Sequence, residues 1–268
     1  MNAPLRQLHD VQAELDTRGV ALDAAGVKDL RYPVVVSSNG RSLPAVAGFS
    51  MSVALDASTR GTHMSRFVEL LEGQPMPLDR GAFERMHADM LARLDARAGE
   101  LSMAFTWFLE RVAPVSRARS KVDCEVEWRI RREAGLAPRF EMRVAVAATS
   151  LCPCSKAISA YGAHNQRSRV TIDAAVGEGI GIEELVEIAE ASASCRVYGL
   201  LKRADEKWVT ELAYDNPKFA EDLARDVARA LDGDPRIGRY SVEVENFESI
   251  HNHSAFARVS RGSREGRT

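Results

Sequence analysis

Two cysteines and a histidine in residues 150–168 are the clearest candidates for chemistry in the chain. Thiolate and imidazole bind zinc and other divalent transition metals, and Cys154 and His164 can reach one ion if the segment between them folds back. A structural zinc site normally uses four protein ligands, often as two close pairs, and the sequence contains no second cysteine pair of this kind. We therefore expect an open metal site that keeps a position for water, which becomes a nucleophile near neutral pH. For Cys152 we favour the alternative, a small side chain packed in the interior.

A second cluster, residues 245–253, contains two histidines and two glutamates. On a strand, Glu245, His251 and His253 would share one face, whereas Glu248 would join them only at a bulge or bend. Such a group could supply metal ligands or a general acid and base. The alternative is a polar loop between two strands.

Charges of both signs surround a tryptophan in residues 200–211. Lys202 and Arg203 can bind phosphate, the first as a point charge and the second as a planar fork. Glu206 can serve as an oxygen ligand, although a solvated charged loop is the alternative for the whole stretch. Glu221, further along the chain, by itself indicates a surface residue near the start of a helix.

Composition limits what these clusters can bind. The chain has 268 residues, 45% of them hydrophobic, and a formal net charge of −2, which supports a full core and argues against a general nucleic-acid binder. No apolar run approaches the ~20 residues of a membrane span, and the first ten residues lack the features of a signal peptide. We therefore expect a cytoplasmic protein with no membrane partner, whose four cysteines are thiols or metal ligands.

Periodicity predicts the elements that must position the candidate residues. Alternating or β-branched runs indicate strands at 31–38, 45–55, 121–130, 139–148, 169–176, 240–247 and 255–259. Apolar spacings of three and four indicate helices at 67–71, 79–97, 183–191 and 217–231, the second of which Asp79 can cap and Gly99 can end. The segment 100–114 fits either a helix or a strand.

The two halves of the chain show the same plan. Gly-x-His-x-x-Arg occurs at 61–66 and again at 162–167, each time after an early hairpin, which suggests a duplication. We expect an N-terminal arm at 1–30, a first unit at 31–135, a second unit at 136–262 that carries the metal loop, and a tail at 263–268.

Long motifs in the second half resemble one known family, the prokaryotic GTP cyclohydrolase IB enzymes. These motifs are Leu-Cys-Pro-Cys-Ser-Lys at 151–156, Tyr-Gly-Ala-His-Asn-Gln-Arg-Ser at 161–168, Leu-Leu-Lys-Arg at 200–203, Asp-Glu-Lys at 205–207, Asn-Pro-Lys-Phe at 216–219 and Phe-Glu-Ser-Ile-His-Asn-His-Ser-Ala at 247–255. The resemblance extends from residue 61 to about 258.

The resemblance implies an α+β tunnelling fold, with two tandem antiparallel ββααββ units in each chain. It further implies that chains assemble into β-barrels in a homotetramer with active sites at the subunit interfaces. The implied reaction hydrolyses GTP at C8 and releases formate, giving 7,8-dihydroneopterin triphosphate, the first step of tetrahydrofolate synthesis. The implied cofactor is a divalent ion, which can be manganese, zinc or iron.

Residue roles are carried over from this resemblance. Cys154, His164 and Glu206 are the implied metal ligands, Cys154 is also the residue most expected to be essential for catalysis, and Glu221 is the implied anchor of the guanine edge. The remaining implied groups are His251, His253 and Glu248 for proton transfer, and Lys202, Arg203, Arg167 and either His63 or Arg66 of a neighbouring chain for the triphosphate.

Two alternatives stay open. A nitrile reductase of queuosine synthesis with the same fold would use Cys154 as a covalent nucleophile and NADPH as reductant. A non-catalytic metal-binding interaction module would hold a structural ion with Cys152 and Cys154, so that removal of the metal would unfold it.

Overall fold

A computed structural model describes residues 11–262 of the chain. Its strands are β1 (Leu22–Ser38), β2 (Arg41–Leu55), β3 (Gly99–Val112), β4 (Arg119–Arg132), β5 (Arg139–Leu151), β6 (Asn165–Val176), β7 (Cys195–Arg196), β8 (Ile237–Asn246) and β9 (Ala255–Arg261). The helices are α1 (Ser65–Glu72), α2 (Arg80–Arg93), α3 (Pro153–Ile158), α4 (Ile182–Ser192), α5 (Arg203–Asp215) and α6 (Ala220–Gly233). A short 3₁₀ turn at Val11–Ala13 precedes them.

The described strands form one antiparallel sheet in the order β1-β2-β3-β4-β5-β6-β8-β9, with β7 paired to β5. Buried and exposed residues alternate along β3, β4 and β6, as the two-residue period of a strand requires. The helices α2, α4 and α6 pack on the sheet and cover its apolar face. The other face carries charged side chains, among them Glu127, Arg129 and Asp173.

An aromatic cluster in the core holds α2 against the sheet. Trp128 contacts Phe83, Phe105 and Phe140 edge to face, with ring centroids 5.8, 5.6 and 6.0 Å away. The predicted start of α2 is confirmed, because the carboxylate of Asp79 accepts a hydrogen bond of 2.7 Å from the Ala82 N–H. The helix ends earlier than predicted, and Gly99 opens β3 instead of ending α2.

Other boundaries also differ from the sequence prediction. Strand β1 begins at Leu22, so residues 22–30 belong to the sheet and not to an N-terminal arm. Residues 1–10 of that arm and the predicted tail 263–268 lie outside the described residues. The ambiguous segment 100–114 lies almost entirely in β3, where every second side chain is buried.

Two stretches have a secondary structure that differs from the one predicted. Residues 203–215 form the helix α5, for which no element was predicted, while α6 starts at Ala220 and leaves Pro217 before the helix. Residues 247–254 form a loop between β8 and β9. Glu245 lies in β8 while His251 and His253 lie in this loop, so the three do not share a strand face, and of the two possibilities the chain forms the polar loop.

The proposed boundary between the halves falls in a turn at 133–138, where Leu136 N–H donates to the Glu133 carbonyl at 3.1 Å. The sheet continues across it, because β4 pairs with β5 from Glu125 opposite Ala145 to Arg131 opposite Arg139. Within the described part of the chain, no helix is long and apolar enough to cross a membrane.

Candidate active site

The β5–β6 hairpin places a thiol opposite an imidazole. The ladder runs to Leu151 opposite Asn165, and the next residue, Cys152, donates its backbone N–H to the His164 carbonyl at 3.1 Å. Cys152 and His164 therefore follow the register of the ladder as the next pair of opposed residues, and in a regular ladder the side chains of such a pair lie on the same face. Cys154 lies inside α3 and is exposed.

This register corrects the expected role of Cys152. Its side chain is partly exposed, not packed in the core, and Cys152 is the N-cap residue of α3. The thiol sulfur accepts a hydrogen bond of 3.4 Å from the Ser155 N–H. The Ser155 hydroxyl donates to the Cys152 carbonyl and accepts from the His164 N–H, both at 3.2 Å, so that one serine closes the loop.

The orientation of His164 follows from its neighbours. Its Nδ1 lies 3.0 Å from the side-chain oxygen of Gln166. An amide oxygen can only accept, so Nδ1 donates this bond, and in the neutral ring Nε2 is then the nitrogen with the lone pair. The Glu248 carboxylate lies 3.9 Å from the same Nδ1 and favours the same tautomer. With side chains only 14% and 12% exposed, His164 and Glu248 form the half-buried wall of the site.

A buried chain of hydrogen bonds supports this wall. Ser168 donates to the side-chain oxygen of Asn246 at 2.7 Å, and because its only proton is used there, Ser150 donates to Ser168 at 2.6 Å. All three side chains are buried, and they join the ends of β5, β6 and β8. These residues and Gln166 were not predicted. Ser150, Ser168 and Asn246 could have been recognised as polar residues at inward positions of strand faces that are otherwise apolar.

The β8–β9 loop brings part of the second cluster to the site. The Phe247 N–H donates to the Arg167 carbonyl at 2.9 Å, and the Ser249 hydroxyl lies 3.5 Å from His164 Nδ1. His251 and His253 are exposed, and their rings stack with centroids 5.1 Å apart and planes 19° from parallel. Among the described residues, no hydrogen bond or ion pair joins either ring to the β5–β6 loop.

The connection between α5 and α6 docks on the same loop. The Lys218 N–H donates to the Leu151 carbonyl at 3.0 Å, and Lys156 donates to the Tyr214 carbonyl while its ammonium lies 4.2 Å from the Tyr214 ring centroid. This docking brings the start of α6, which carries the exposed Glu221, to the side of the loop. The four remaining groups predicted in this part of the chain are also exposed, namely Lys202, Arg203, Glu206 and Arg167.

The three predicted metal ligands are not gathered within one chain. No group of three or more His, Cys, Asp or Glu side chains converges in residues 11–262. Glu206 lies two turns before Tyr214, which is about 12 Å along the axis of α5. In the first half, His63 precedes α1 and Arg66 lies in its first turn, where Arg66 donates to the Arg93 carbonyl at 2.8 Å.

The two other thiols are poor ligand candidates. Cys124 and Cys195 are buried. Burial, helped by the Glu183 carboxylate, raises the pKa of Cys124 to about 12, and burial also raises the pKa of Cys195. Because a metal binds the thiolate, Cys152 and Cys154 are the thiols available for chemistry.

Solved structures of uricases share this fold. The uricase from Arthrobacter globiformis matches with a TM-score of 0.56 over 92% of this chain and 95% of its own, at 9% sequence identity. The urate oxidase from Bacillus subtilis 168 matches with a TM-score of 0.50 over 90% of this chain and 99% of its own, also at 9% identity. At sequence identities this low, structural similarity shows a shared fold and does not show a shared function. The chain is an α+β protein with a large antiparallel sheet and has structural neighbours in the tunnelling-fold family.

Sequence relatives are much closer. GTP cyclohydrolase FolE2 1 from Dechloromonas aromatica (strain RCB) is 53% identical over 97% of this chain and 98% of its own length. GTP cyclohydrolase FolE2 from Azoarcus sp. (strain BH72) is 50% identical over 98% of this chain and 99% of its own length. The family model described as type I GTP cyclohydrolase folE2 matches residues 8–257. The protein therefore belongs to the type I GTP cyclohydrolase folE2 family.

Proposed function

We propose that this chain hydrolyses GTP to 7,8-dihydroneopterin triphosphate and formate, the first step of tetrahydrofolate biosynthesis. Membership of the folE2 family gives the reaction. The observation that carries the site is the arrangement of His164, whose Nδ1 is held by Gln166 and whose backbone carbonyl accepts from the Cys152 N–H.

The donor set of this loop fits a divalent transition metal. A neutral imidazole held by a hydrogen bond at its other nitrogen is the usual form of a histidine ligand, and a thiolate is a soft partner for it. We propose His164 and Cys152 as two of the ligands, because the strand register pairs them. Glu206 stays in the proposal as a third ligand, and since α5 holds it away from the loop within one chain, we assign it to a neighbouring subunit.

The ion would be manganese, zinc or iron, and when bound it supplies a Lewis acid for the hydrolysis. Cys154 keeps its proposed catalytic role as the exposed thiol of the same loop. The Glu248 carboxylate lies 3.9 Å from Nδ1 of His164, so its proposed role is to hold the orientation of the neutral ring. Proton transfer during opening of the imidazole ring of GTP is then assigned to His251 and His253, which are exposed in the same loop.

Recognition of GTP is assigned to the exposed groups around the loop. The Glu221 carboxylate can accept both guanine N1–H and the exocyclic amine in one paired contact. Lys202, Arg203 and Arg167 form no ion pair within the described residues and are free to bind the triphosphate. His63 or Arg66 of a neighbouring chain would complete the cationic pocket, since neither lies at the loop of its own chain.

The assembly proposed for the chain is a homotetramer of two-unit subunits whose sheets close into barrels. The outer edges of β1 and β9 have no partner strand within residues 11–262, and such edges favour pairing with another chain. An interface site also accounts for the separation of His63, Arg66 and Glu206 from the loop. A cytoplasmic location completes the proposal, as the four cysteines are free thiols.

The test is incubation of the purified chain with GTP and Mn²⁺, with formate and the fluorescent pterin formed after oxidation as readouts. We expect both products in equal amounts without any NADPH consumption. NADPH consumption with a nitrile substrate and no formate from GTP would instead establish the reductase alternative. Matched variants are Cys154→Ser at the site and Cys195→Ser in the core.

A further inference from the structure

Asp205 is a fully buried carboxylate at the start of α5, between two exposed residues. Its side chain is 0% exposed, whereas Ala204 and Glu206 are exposed. One oxygen accepts from the N–H groups of Val115 and Ser116, both at 2.8 Å. The other accepts from the Ser116 hydroxyl at 2.5 Å and from the Lys202 N–H at 2.9 Å. None of the roles in the proposed function involves Asp205.

These bonds join distant parts of the chain. Val115 and Ser116 belong to the turn between β3 and β4, while Lys202 is the N-cap residue of α5. The segment before the helix also lies against β4, because a Cβ at Gly199 would approach the Lys121 carbonyl oxygen to 2.6 Å. One carboxylate therefore fixes the start of α5 against the first half of the sheet.

The charge of Asp205 is kept in the folded protein. Burial alone would raise its pKa, but the hydrogen bonds from Ser116, Lys202 and Val115 outweigh burial and lower it. A carboxylate that accepts several backbone N–H bonds is a strong and directional anchor.

The anchor sets the rotation of α5 as well as its position. Successive residues of a helix are about 100° apart, so residues three apart share a face. Because the Asp205 side chain points at the β3–β4 turn, the side chains of Arg203 and Glu206 lie together on a different face of α5. Lys202 is fixed directly, through its own N–H.

We propose that Asp205 is a positioning residue for GTP binding, which holds Lys202, Arg203 and Glu206 where the triphosphate and the metal need them. This inference rests on the proposed function, because it takes the roles of those three residues from it. Asp205 itself touches neither substrate nor metal.

The test compares Asp205→Asn with Asp205→Ala. Asparagine can keep one oxygen for the N–H groups of Val115 and Ser116, but its NH₂ group cannot accept from the Lys202 N–H, and the Ser116 hydroxyl has to turn and accept instead of donating. Alanine loses all of these bonds. We expect the KM for GTP to rise about 10-fold in the asparagine variant and up to about 100-fold in the alanine variant, with smaller changes in kcat. Both variants are measured on the metal-loaded protein.

The control is Asp79→Ala, which removes a capping aspartate from α2, a helix that carries none of the proposed site residues. It should lower the melting temperature and leave the KM for GTP unchanged. A purely structural Asp205 would behave in the same way, with an unchanged KM and a smaller active fraction, and that result would overturn the proposal.

Measurements on the wild-type protein show whether the proposed function fails, independently of the Asp205 variants. If the wild type binds GTP but does not release formate, the reaction is wrong, and equilibrium binding of GTP to the two Asp205 variants decides the positioning role. If the wild type does not bind GTP, both proposals are rejected.

Discussion

The imidazole of His164 donates from Nδ1 to the side-chain oxygen of Gln166 over 3.0 Å. In the neutral ring this bond selects the tautomer in which Nε2 carries the lone pair. Gln166 is buried, next to Ser150 and Ser168 at the ends of β5 and β6, so its position is set by the sheet and not by the loop.

Gln166→Ala should weaken metal binding without unfolding the chain. Loss of the acceptor leaves His164 free to rotate or to change tautomer, and outer partners of this kind contribute about 10- to 100-fold in metal affinity. The measurement is competition with a chelator of known affinity. Gln166→Glu is the matched variant, because it keeps an acceptor at the same place and should retain the affinity. Equal affinity in all three proteins would show that the bond does not position the ring.

The two thiols can be separated by substitution. Because Cys152 is opposite His164 and Cys154 is not, Cys152→Ser should abolish tight metal binding, whereas Cys154→Ser should still bind the ion and lose turnover only. Metal content after dialysis distinguishes them. Loss of the ion in Cys154→Ser and retention in Cys152→Ser would restore the assignment made from sequence.

The sequence predicts most strands from β4 onward well and the metal ligands less well. Strict alternation from Val122 to Ile130 is enough to recognise β4, since one face of it is buried. Which of two cysteines separated by one proline lies opposite His164 depends on the register of β5 and β6, and no local pattern encodes that register.

Helix α5 was missed for a related reason. Asp205 looks like one more charge in a solvated stretch, and its burial appears only once the β3–β4 turn is placed against it. The strands on either side of the loop at 247–254 are close to their predicted bounds, but alternation does not show where the side chains within such a loop lie.

A buried ion pair joins β3 to α4 and should matter for stability. Arg111 lies 2.6 Å from Glu190, with side chains 11% and 0% exposed, and burial raises the pKa of Glu190. Arg111→Ala leaves this carboxylate without its closest partner, so the free energy of unfolding should fall by roughly 3–5 kcal/mol. Denaturant unfolding measures it.

Arg119→Ala is the control for this pair, because Arg119 lies 3.1 Å from Glu110 on the surface, where such pairs contribute about 1 kcal/mol or less. Equal losses in the two variants would contradict the assigned burial.

The Asp205 anchor predicts a pH dependence. The pKa of Asp205 in the folded protein lies below the ordinary value of 3.8. The carboxylate therefore contributes fully to the free energy of unfolding above pH 3.8, and this contribution is lost as the pH falls below that value towards the folded pKa. The difference in unfolding free energy between wild type and Asp205→Asn should therefore shrink from about pH 5 to about pH 3. A difference that stays constant over this range would mean that Asp205 is not the titrating anchor.

Formate release from GTP before and after metal removal tests the central claim most directly. We expect release by the metal-loaded chain, loss of release after chelation with the circular dichroism spectrum unchanged, and recovery when Mn²⁺ is added back. Release that is unaffected by chelation, or a metal-loaded chain that releases no formate, would contradict the account.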